Sequence, residues 1–137
     1  SDIKAGIRKA ARMNKTLAVR LNGTSDLPGL AIRIASMFPA VQFYDYTKIA
    51  KTFDRDLPAN YHLTFSRSES NDSDVMRLLE LGHNVAAVFA QMPKTWNGKQ
   101  VIDGDKNDLR FLDPKGIIVG LSAKGKAKKD TSGFVIL

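Results

Sequence analysis

Short apolar segments alternate with helical patterns along this chain, and that alternation limits the fold more than any other feature of the sequence. The strand-like segments begin at roughly 20- to 25-residue intervals and occupy residues 16–21, 41–46, 61–65 and 84–90. Helical patterns lie between them at residues 30–38 and 72–81. Repeated strand-helix units of this kind form parallel sheets. The sequence therefore predicts an α/β fold of repeated βα units with a mainly parallel sheet, either an open sheet or a partial β/α-barrel.

Two helical segments carry signals at their ends. Asp72 or Ser73 is a suitable N-cap for the helix at residues 72–81, and Gly82 predicts its end. Residues 2–14 have apolar side chains at helical spacing and basic ones mostly on the other face, which indicates an amphipathic helix. Almost no chain precedes its first apolar side chain. We therefore expect the chain to be a C-terminal fragment of a larger protein.

The regular pattern breaks after the fourth strand-like segment. Asn97-Gly98 is a strong hairpin signal, because this pair tolerates the positive φ angles of a type I′ turn, and we expect a β-hairpin insertion that leaves the sheet. A further strand is predicted at residues 117–121. Residues 122–132 are small and basic and are expected to be flexible, while residues 133–137 are expected to form a short final strand or to dock on the core.

Length and composition indicate a single α/β domain over residues 1–137. The chain has 137 residues, of which 43% are apolar and 26% charged, as in ordinary globular proteins. It has no cysteine, which excludes disulfides, thiolate metal sites and iron–sulfur clusters. No apolar run is long enough to cross a membrane, and the start of the chain is unlike a signal peptide. We expect a cytoplasmic protein with no membrane partner and no cofactor.

Positive charge outweighs negative charge in this chain. There are 21 Lys and Arg against 14 Asp and Glu, which gives a net charge of +7. The basic residues concentrate toward the two ends of the chain, at Lys4, Arg8, Lys9, Arg12, Lys15, Lys124, Lys126, Lys128 and Lys129. A charge of this sign attracts polyanions at long range. The expected partners are therefore nucleic acid or a phosphorylated small molecule, and a homo-oligomer is a further prediction.

Polar side chains follow each predicted strand, and in parallel α/β folds ligands bind at the carboxyl ends of the strands. The residues predicted to bind a ligand there are Asn22, Asp26, Lys48, Arg67, Glu69, Lys124 and Lys126. The last two belong to a glycine- and lysine-rich stretch that is suited to phosphate but lacks the spacing of a P-loop. Loops after strands are polar in soluble proteins generally, so the same pattern is also typical of a chain without such a site.

Asp103, Asp105 and Asp108 form an acidic stretch before the strand at residues 117–121. Carboxylate oxygens are the ligands that Mg²⁺ and Ca²⁺ prefer. The spacing of a calcium-binding loop and its terminal glutamate are absent from this stretch. We therefore interpret it as a solvated acidic turn and predict no metal site.

Five stretches between residues 19 and 116 carry a resemblance to a known family, and the resemblance extends over nearly the whole chain. They are residues 19–26 (VRLNGTSD), 38–48 (FPAVQFYDYTK), 60–71 (NYHLTFSRSESN), 101–105 (VIDGD) and 111–116 (FLDPKG). They resemble an uncharacterised family of bacteriophage and plasmid proteins, called gene product eighty-eight-like. The resemblance implies a phage or mobile-element origin, the cytoplasm of the host cell, and a partial β/α-barrel or open parallel sheet. It implies no particular activity.

The resemblance also bears on cofactor chemistry. It implies that longer relatives carry a cysteine-rich segment ahead of the first helix, similar to that of radical-SAM proteins. Because this chain has no cysteine, we expect it to match only the C-terminal part of the family. An activity that depends on a metal cluster is therefore not carried over to it.

Three functions remain open. The chain binds a nucleotide, nucleic acid or other phosphorylated ligand at the carboxyl ends of its strands. Alternatively, it is an enzyme, or the remnant of a radical-SAM-like enzyme without its cluster, in which Asp26 or Glu69 is the acid or base and Lys48 or Arg67 stabilises developing negative charge. The third alternative is a non-catalytic domain that interacts with another protein or oligomerises.

Overall fold

The computed structural model describes residues 18–20, 28–106 and 109–137, so the helix predicted at residues 2–14 lies outside the described residues. The described strands are β1 (Ala18–Arg20), β2 (Gln42–Thr47), β3 (Tyr61–Ser66), β4 (Asn84–Phe89), β5 (Thr95–Trp96), β6 (Lys99–Asp103), β7 (Ile118–Ser122) and β8 (Val135–Ile136). The α-helices are α1 (Pro28–Met37) and α2 (Asp72–Glu80). Short 3₁₀ turns occupy Ala50–Asp54, Gly104–Lys106, Arg110–Leu112 and Gly125–Lys129.

The strands form one open sheet in the order β1-β2-β3-β4-β7-β6-β5, and β8 also pairs with β4. Every pair is parallel except β5 with β6. β3 pairs with the first half of β4, while β8 pairs with Val88 and Phe89 farther along the same side of that strand. The predicted α/β fold with a mainly parallel sheet is confirmed, and of the two predicted forms it is the open sheet.

One face of the sheet packs against α1 and α2. Side chains alternate between the two faces along a strand, so every second residue of β2, β3 and β4 points toward the helices. The resulting buried cluster joins Phe43, Leu63, Phe65, Val85, Ala87 and Phe89 of the sheet to Ala31 and Ala35 of α1 and to Val75, Leu78 and Leu79 of α2. The main core therefore lies between the sheet and the helices.

The opposite face carries a smaller cluster, in which Ala86, Ile117 and Val119 pack with Tyr46, Ile102 and Leu121. The 3₁₀ turns at Gly104–Lys106 and Arg110–Leu112 lie against this face, and the ring of Phe111 is 5.6 Å from that of Tyr44. Gly104 permits the close approach, since a Cβ atom there would meet Cγ1 of Val119. Toward the carboxyl ends of the strands, Val88 and Leu121 on this face remain half-buried.

The predicted hairpin is present at Asn97 and Gly98. Their φ angles are 50° and 78°, the two positive values that a type I′ turn requires. The expectation that this hairpin leaves the sheet is wrong, because its second strand, β6, pairs in parallel with β7. Val101 of β6 is buried against the main core, and burying this side chain holds the strand in the sheet.

The helix α2 ends where the sequence predicts but has a different N-cap. Gly82 has a φ of +89°, and the amides of Gly82 and His83 donate to the carbonyls of Leu79 and Leu78, as in a Schellman motif. At the other end the N-cap residue is Asn71 rather than Asp72 or Ser73. The Asn71 side chain accepts from the amide of Ser68 and donates to the carbonyl of Ser66, so it folds the turn between β3 and α2.

The end of α1 is held by a residue from a later loop. Nδ2 of Asn60 donates to the carbonyls of Ala35, Phe38 and Val41 at 3.0, 3.1 and 2.9 Å. These carbonyls belong to the last turn of the helix and to the chain that leads into β2. One amide group therefore ties the helix end to the amino end of the sheet.

Residues 122–132 include a 3₁₀ turn at Gly125–Lys129, and the predicted short final strand is confirmed as β8. The predicted flexibility of residues 122–132 and the single-domain assignment stay predictions. No helix within residues 28–106 or 109–137 is both long and apolar enough to cross a membrane.

Candidate functional site

The carboxyl ends of neighbouring parallel strands lie along one edge of the sheet, which we call the carboxyl edge. The register aligns Thr47 of β2 with Phe65 of β3, and Phe89 of β4 with Ser122 of β7. The chain leaves β2 through Lys48 and leaves β3 through Arg67. The polar residues after β2, β3, β4 and β7 therefore lie along the same edge, as the sequence predicts.

A pocket of about 130 Å³ lies at this edge, on the face of the sheet opposite the helices. This carboxyl-edge pocket is lined by Lys48, Ser66, Arg67, Ala86, Val88, Leu121 and Phe134. Its walls are almost wholly apolar, although Lys48, Ser66 and Arg67 are among the residues that form them. Such a lining suits a flat apolar group.

Arg67 has a second role at the same edge, because its guanidinium holds the C-terminal segment. Nε donates to Asp72 Oδ1 at 2.8 Å, and Nη1 donates to the carbonyls of Gly133 and Phe134, both at 2.9 Å. The side chain is only 7% exposed. Most of its donors are committed to these contacts, so Arg67 fixes one wall of the pocket.

The guanidinium of Arg67 also lies 5.6 Å from the centre of the Trp96 ring, within the range of a cation–π contact. Trp96 in turn packs edge-on against Phe89, with ring centroids 6.3 Å apart. A second concavity of about 260 Å³ borders Arg67, Trp96 and the C-terminal residues from Asp130 onward. Arg67 therefore separates two concavities at the carboxyl edge.

Asp105 holds the start of the basic segment. Its Oδ2 accepts from the amide of Ser122 at 2.9 Å, and its Oδ1 lies 3.3 Å from Nζ of Lys124. The Ser122 amide, with a smaller contribution from Lys124, lowers the pKa of the Asp105 carboxyl. The carboxylate is therefore an anchor for the loop after β7. Asp108 lies outside the described residues, and none of the described side chains form a cluster of three or more potential metal ligands.

The structure brings together two of the predicted ligand-binding residues, Lys48 and Arg67, in one pocket. Glu69 is exposed in the turn after β3, where its Cβ lies close to Gly133 of the C-terminal segment. Lys124 lies beyond β7 and is paired with Asp105. Asn22 and Asp26 lie outside the described residues, as does the side chain of Lys126. The roles of all seven residues in binding, and of Asp26 and Glu69 in catalysis, stay predictions.

Sequence reasoning missed the contribution of Phe134 to the pocket. This residue precedes β8, and it reaches the carboxyl edge only because β8 pairs with β4 and Arg67 binds its carbonyl. A two-residue strand has no periodicity to mark it, so no sequence signal places Phe134 beside Lys48. The one available hint is the apolar character of the last residues after a basic segment.

Comparison with known proteins identifies a family. A family model described as Gene product 88 matches residues 1–137. The match runs along the whole chain, so the expectation that only the C-terminal part of the family is represented is not borne out. No curated protein and no solved structure matches the chain.

Proposed function

The chain belongs to the Gene product 88 family, which is of phage type, and we propose that it binds single-stranded nucleic acid at the carboxyl edge. One base occupies the carboxyl-edge pocket, and the neighbouring phosphates contact Lys48 and the lysines of the Gly125–Lys129 turn. The observation that carries the proposal is the presence of Lys48, Ser66 and Phe134 in one pocket at this edge.

The size of the pocket favours one base of a strand over a whole small molecule. Its volume is about 130 Å³, whereas sites for complete small ligands begin at roughly 300 Å³. An aromatic ring, Phe134, lines it beside the aliphatic side chains of Val88 and Leu121. Bases stack on aromatic side chains without regard to sequence, because every base has a π-face.

The charges around the pocket favour a polyanion. Lys48 is exposed at the pocket, and Lys128 and Lys129 are exposed in the turn that connects β7 to β8. Arg67 and Lys124 are further cations at this edge, and they contact Asp72 and Asp105. The net charge of +7 adds long-range attraction that draws a strand toward this surface.

The test is a fluorescence anisotropy titration of labelled oligothymidylate of about 15 nucleotides, at salt concentrations from roughly 50 to 200 mM. Lys48→Gln is expected to weaken binding by roughly 2- to 5-fold and to reduce the salt slope by about 0.7, the value for one lost phosphate contact on a single strand. Phe134→Leu keeps the apolar bulk but removes the ring, and it is expected to weaken binding without changing that slope.

Lys115→Gln is the matched control, because Lys115 is also an exposed lysine but precedes β7 at the other end of the strands. It removes the same net charge as Lys48→Gln. The proposal is contradicted if Lys48→Gln and Lys115→Gln lose affinity for oligothymidylate equally, or if the wild type does not bind it at the lowest salt concentration. A mononucleotide that competes as well as the strand indicates a nucleotide-binding protein instead.

A further inference from the structure

A larger cavity lies at the other end of the same strands, away from the edge that the sequence singles out. It has a volume of about 300 Å³ and lies where β3 and β4 begin. Both histidines of the chain, His62 and His83, line it, and so does Lys115. We call it the amino-end cavity. Its volume reaches the range of sites that hold small molecules.

The walls of this cavity are apolar and aromatic. Leu57, Leu63 and Leu81 line it, together with Phe53. The rings of Phe53 and His83 lie 4.7 Å apart at an angle of 53°, which leaves an aromatic surface along one wall. An occupant with a flat apolar body fits these walls better than a sugar or another fully polar molecule.

The polar groups of the cavity differ in whether they have partners. Asn84 is committed to the protein, because its Nδ2 donates to the carbonyl of Pro114 at 2.7 Å and its Oδ1 accepts from the amide of Ile117 at 3.1 Å. The hydroxyl of Tyr61 donates to Asp45 at 3.1 Å. His62 Nε2 lies 3.4 Å from the Thr64 hydroxyl. The other nitrogen of His62, the imidazole of His83 and the ammonium of Lys115 therefore remain as the groups that can select an occupant.

Burial and nearby cations both act on the two imidazoles. Burial, with a further contribution from the Arg110 guanidinium, lowers the pKa of His62. Burial and then Arg77 lower the pKa of His83, while Asp54 partly opposes them. Arg110 itself lies 3.4 Å from its partner Asp113. Lys115 is exposed at the cavity and adds a positive charge. An anionic occupant is therefore favoured over a cationic one.

From this lining we propose that the amino-end cavity is a second binding site, for a small aromatic carboxylate. The carboxylate contacts Lys115 and the ring lies against Phe53 and the leucine side chains. A monoanion matches one lysine and two neutral imidazoles, whereas a phosphate dianion would leave negative charge without a partner. Binding of an anion beside the imidazoles stabilises their protonated forms, so it raises both histidine pKa values.

The test uses proton NMR of the histidine C2–H signals during titration with benzoate. The chain has only two histidines and both line the cavity, so each signal reports directly on it. His62→Gln and His83→Gln assign the signals. Benzoate is expected to shift both histidine C2–H signals in a saturable manner and to raise the pKa values of both histidines. Lys115→Gln is expected to weaken the binding of benzoate by roughly 3- to 5-fold. Lys106→Gln removes another exposed lysine and is expected to bind benzoate with the wild-type affinity.

Benzamide and inorganic phosphate are the comparison ligands. Benzamide has the same shape without the charge, and phosphate has charge without the ring. The proposal is overturned if benzoate does not saturate, if either comparison ligand shifts the signals equally, or if Lys115→Gln binds like the wild type. Benzoate is also expected to leave oligothymidylate affinity unchanged, so this site and the carboxyl edge are tested separately.

Discussion

Nε of Arg67 donates to Oδ1 of Asp72 across 2.8 Å, and this ion pair lies where β3 gives way to α2. Arg67 is buried and Asp72 is about half exposed, with side chains 7% and 53% accessible. The same guanidinium reaches two carbonyls just before β8. Arg67 therefore connects three parts of the chain that meet at the carboxyl edge.

Replacing Arg67 with Gln is expected to destabilise the protein by about 1.5 to 3 kcal/mol, because the shorter side chain leaves the carbonyls of Gly133 and Phe134 without their charged donor. Urea denaturation measures the loss. Hydrogen exchange is expected to show that the amides of Val135 and Ile136 lose protection before those of β4, since β8 is the element that Arg67 holds.

Two variants compare the contacts of Arg67 with the C-terminal segment with ion pairs that involve exposed side chains. Asp72→Asn is expected to cost less than about 1 kcal/mol, because the carboxylate is half exposed. Arg77→Gln breaks an exposed pair with Asp74 at 3.6 Å and is expected to change stability by less than about 0.5 kcal/mol. A loss in Arg67→Gln no larger than in Arg77→Gln would show that Arg67 does not hold β8.

Asn60→Asp is expected to destabilise the protein by about 2 to 4 kcal/mol, measured by urea denaturation. The substitution replaces an amide that donates to three carbonyls with a carboxylate that repels them. Two of those carbonyls, on Ala35 and Phe38, are at the carboxyl end of α1, where negative charge is unfavourable. Asn60→Ala removes the contacts without adding charge, so it is expected to cost less. An equal cost in both variants would argue against the electrostatic part of this explanation.

Gly104→Ala is expected to destabilise the protein by about 1 to 3 kcal/mol through overpacking. A Cβ at Gly104 would meet Cγ1 of Val119 and lie 2.7 Å from Nη1 of Arg110. Gly29→Ala is the control, because a Cβ there lies 3.4 Å from the end of the exposed Arg55 side chain and the position is in α1. Alanine favours the helix by up to about 1 kcal/mol, so thermal unfolding should shift in opposite directions for the two variants.

The two histidines make stability depend on pH in the near-neutral range. Their pKa values in the folded protein lie below the ordinary value of 6.5, so the unfolded chain binds protons more tightly. The free energy of unfolding is therefore expected to fall as pH is lowered through 6.5 toward the folded-state values. Urea denaturation between about pH 5.5 and 7.5 measures this change.

His62→Gln and His83→Gln are each expected to reduce that pH dependence, because glutamine does not titrate. Asp113 has its pKa raised by burial, with Arg110 opposing, so it acts in the other direction, and stability rises as this carboxyl is protonated. Its ordinary value of 3.8 lies below the ordinary value of 6.5 for histidine. A flat profile near neutral pH in the wild type would contradict the assigned direction for both histidines.

The sequence predicts the local elements well because their signals are local. Strand β4 is an apolar run, and β2 and β3 are short segments rich in aromatic residues and threonine. The turns at Gly82 and Asn97-Gly98 depend only on the positive φ angles that these residues tolerate. The pairing of β6 and β8 with the central strands depends on contacts between distant parts of the chain. Two residues of β8 carry too little pattern to show which strand they join.

The candidate site was partly predictable for a related reason. Lys48 and Arg67 follow successive parallel strands, and such residues share an edge whatever the strand order around them. The commitment of Arg67 to Gly133 and Phe134 was not predictable, because it depends on where β8 docks. The amino-end cavity was missed since the rule for α/β sheets points to the opposite ends of the strands, and Lys115 is distant in sequence from His62.

The position of β8 has a consequence for solubility. β3 ends at Ser66, and β8 occupies the space beside Val88 and Phe89 that β3 leaves, with the amide of Ala90 donating to the carbonyl of Ile136. If β8 detached, the second half of an apolar strand would present unpaired backbone groups to any other chain. Such an edge is a template for aggregation. Arg67, which holds β8, therefore also keeps this edge of β4 covered.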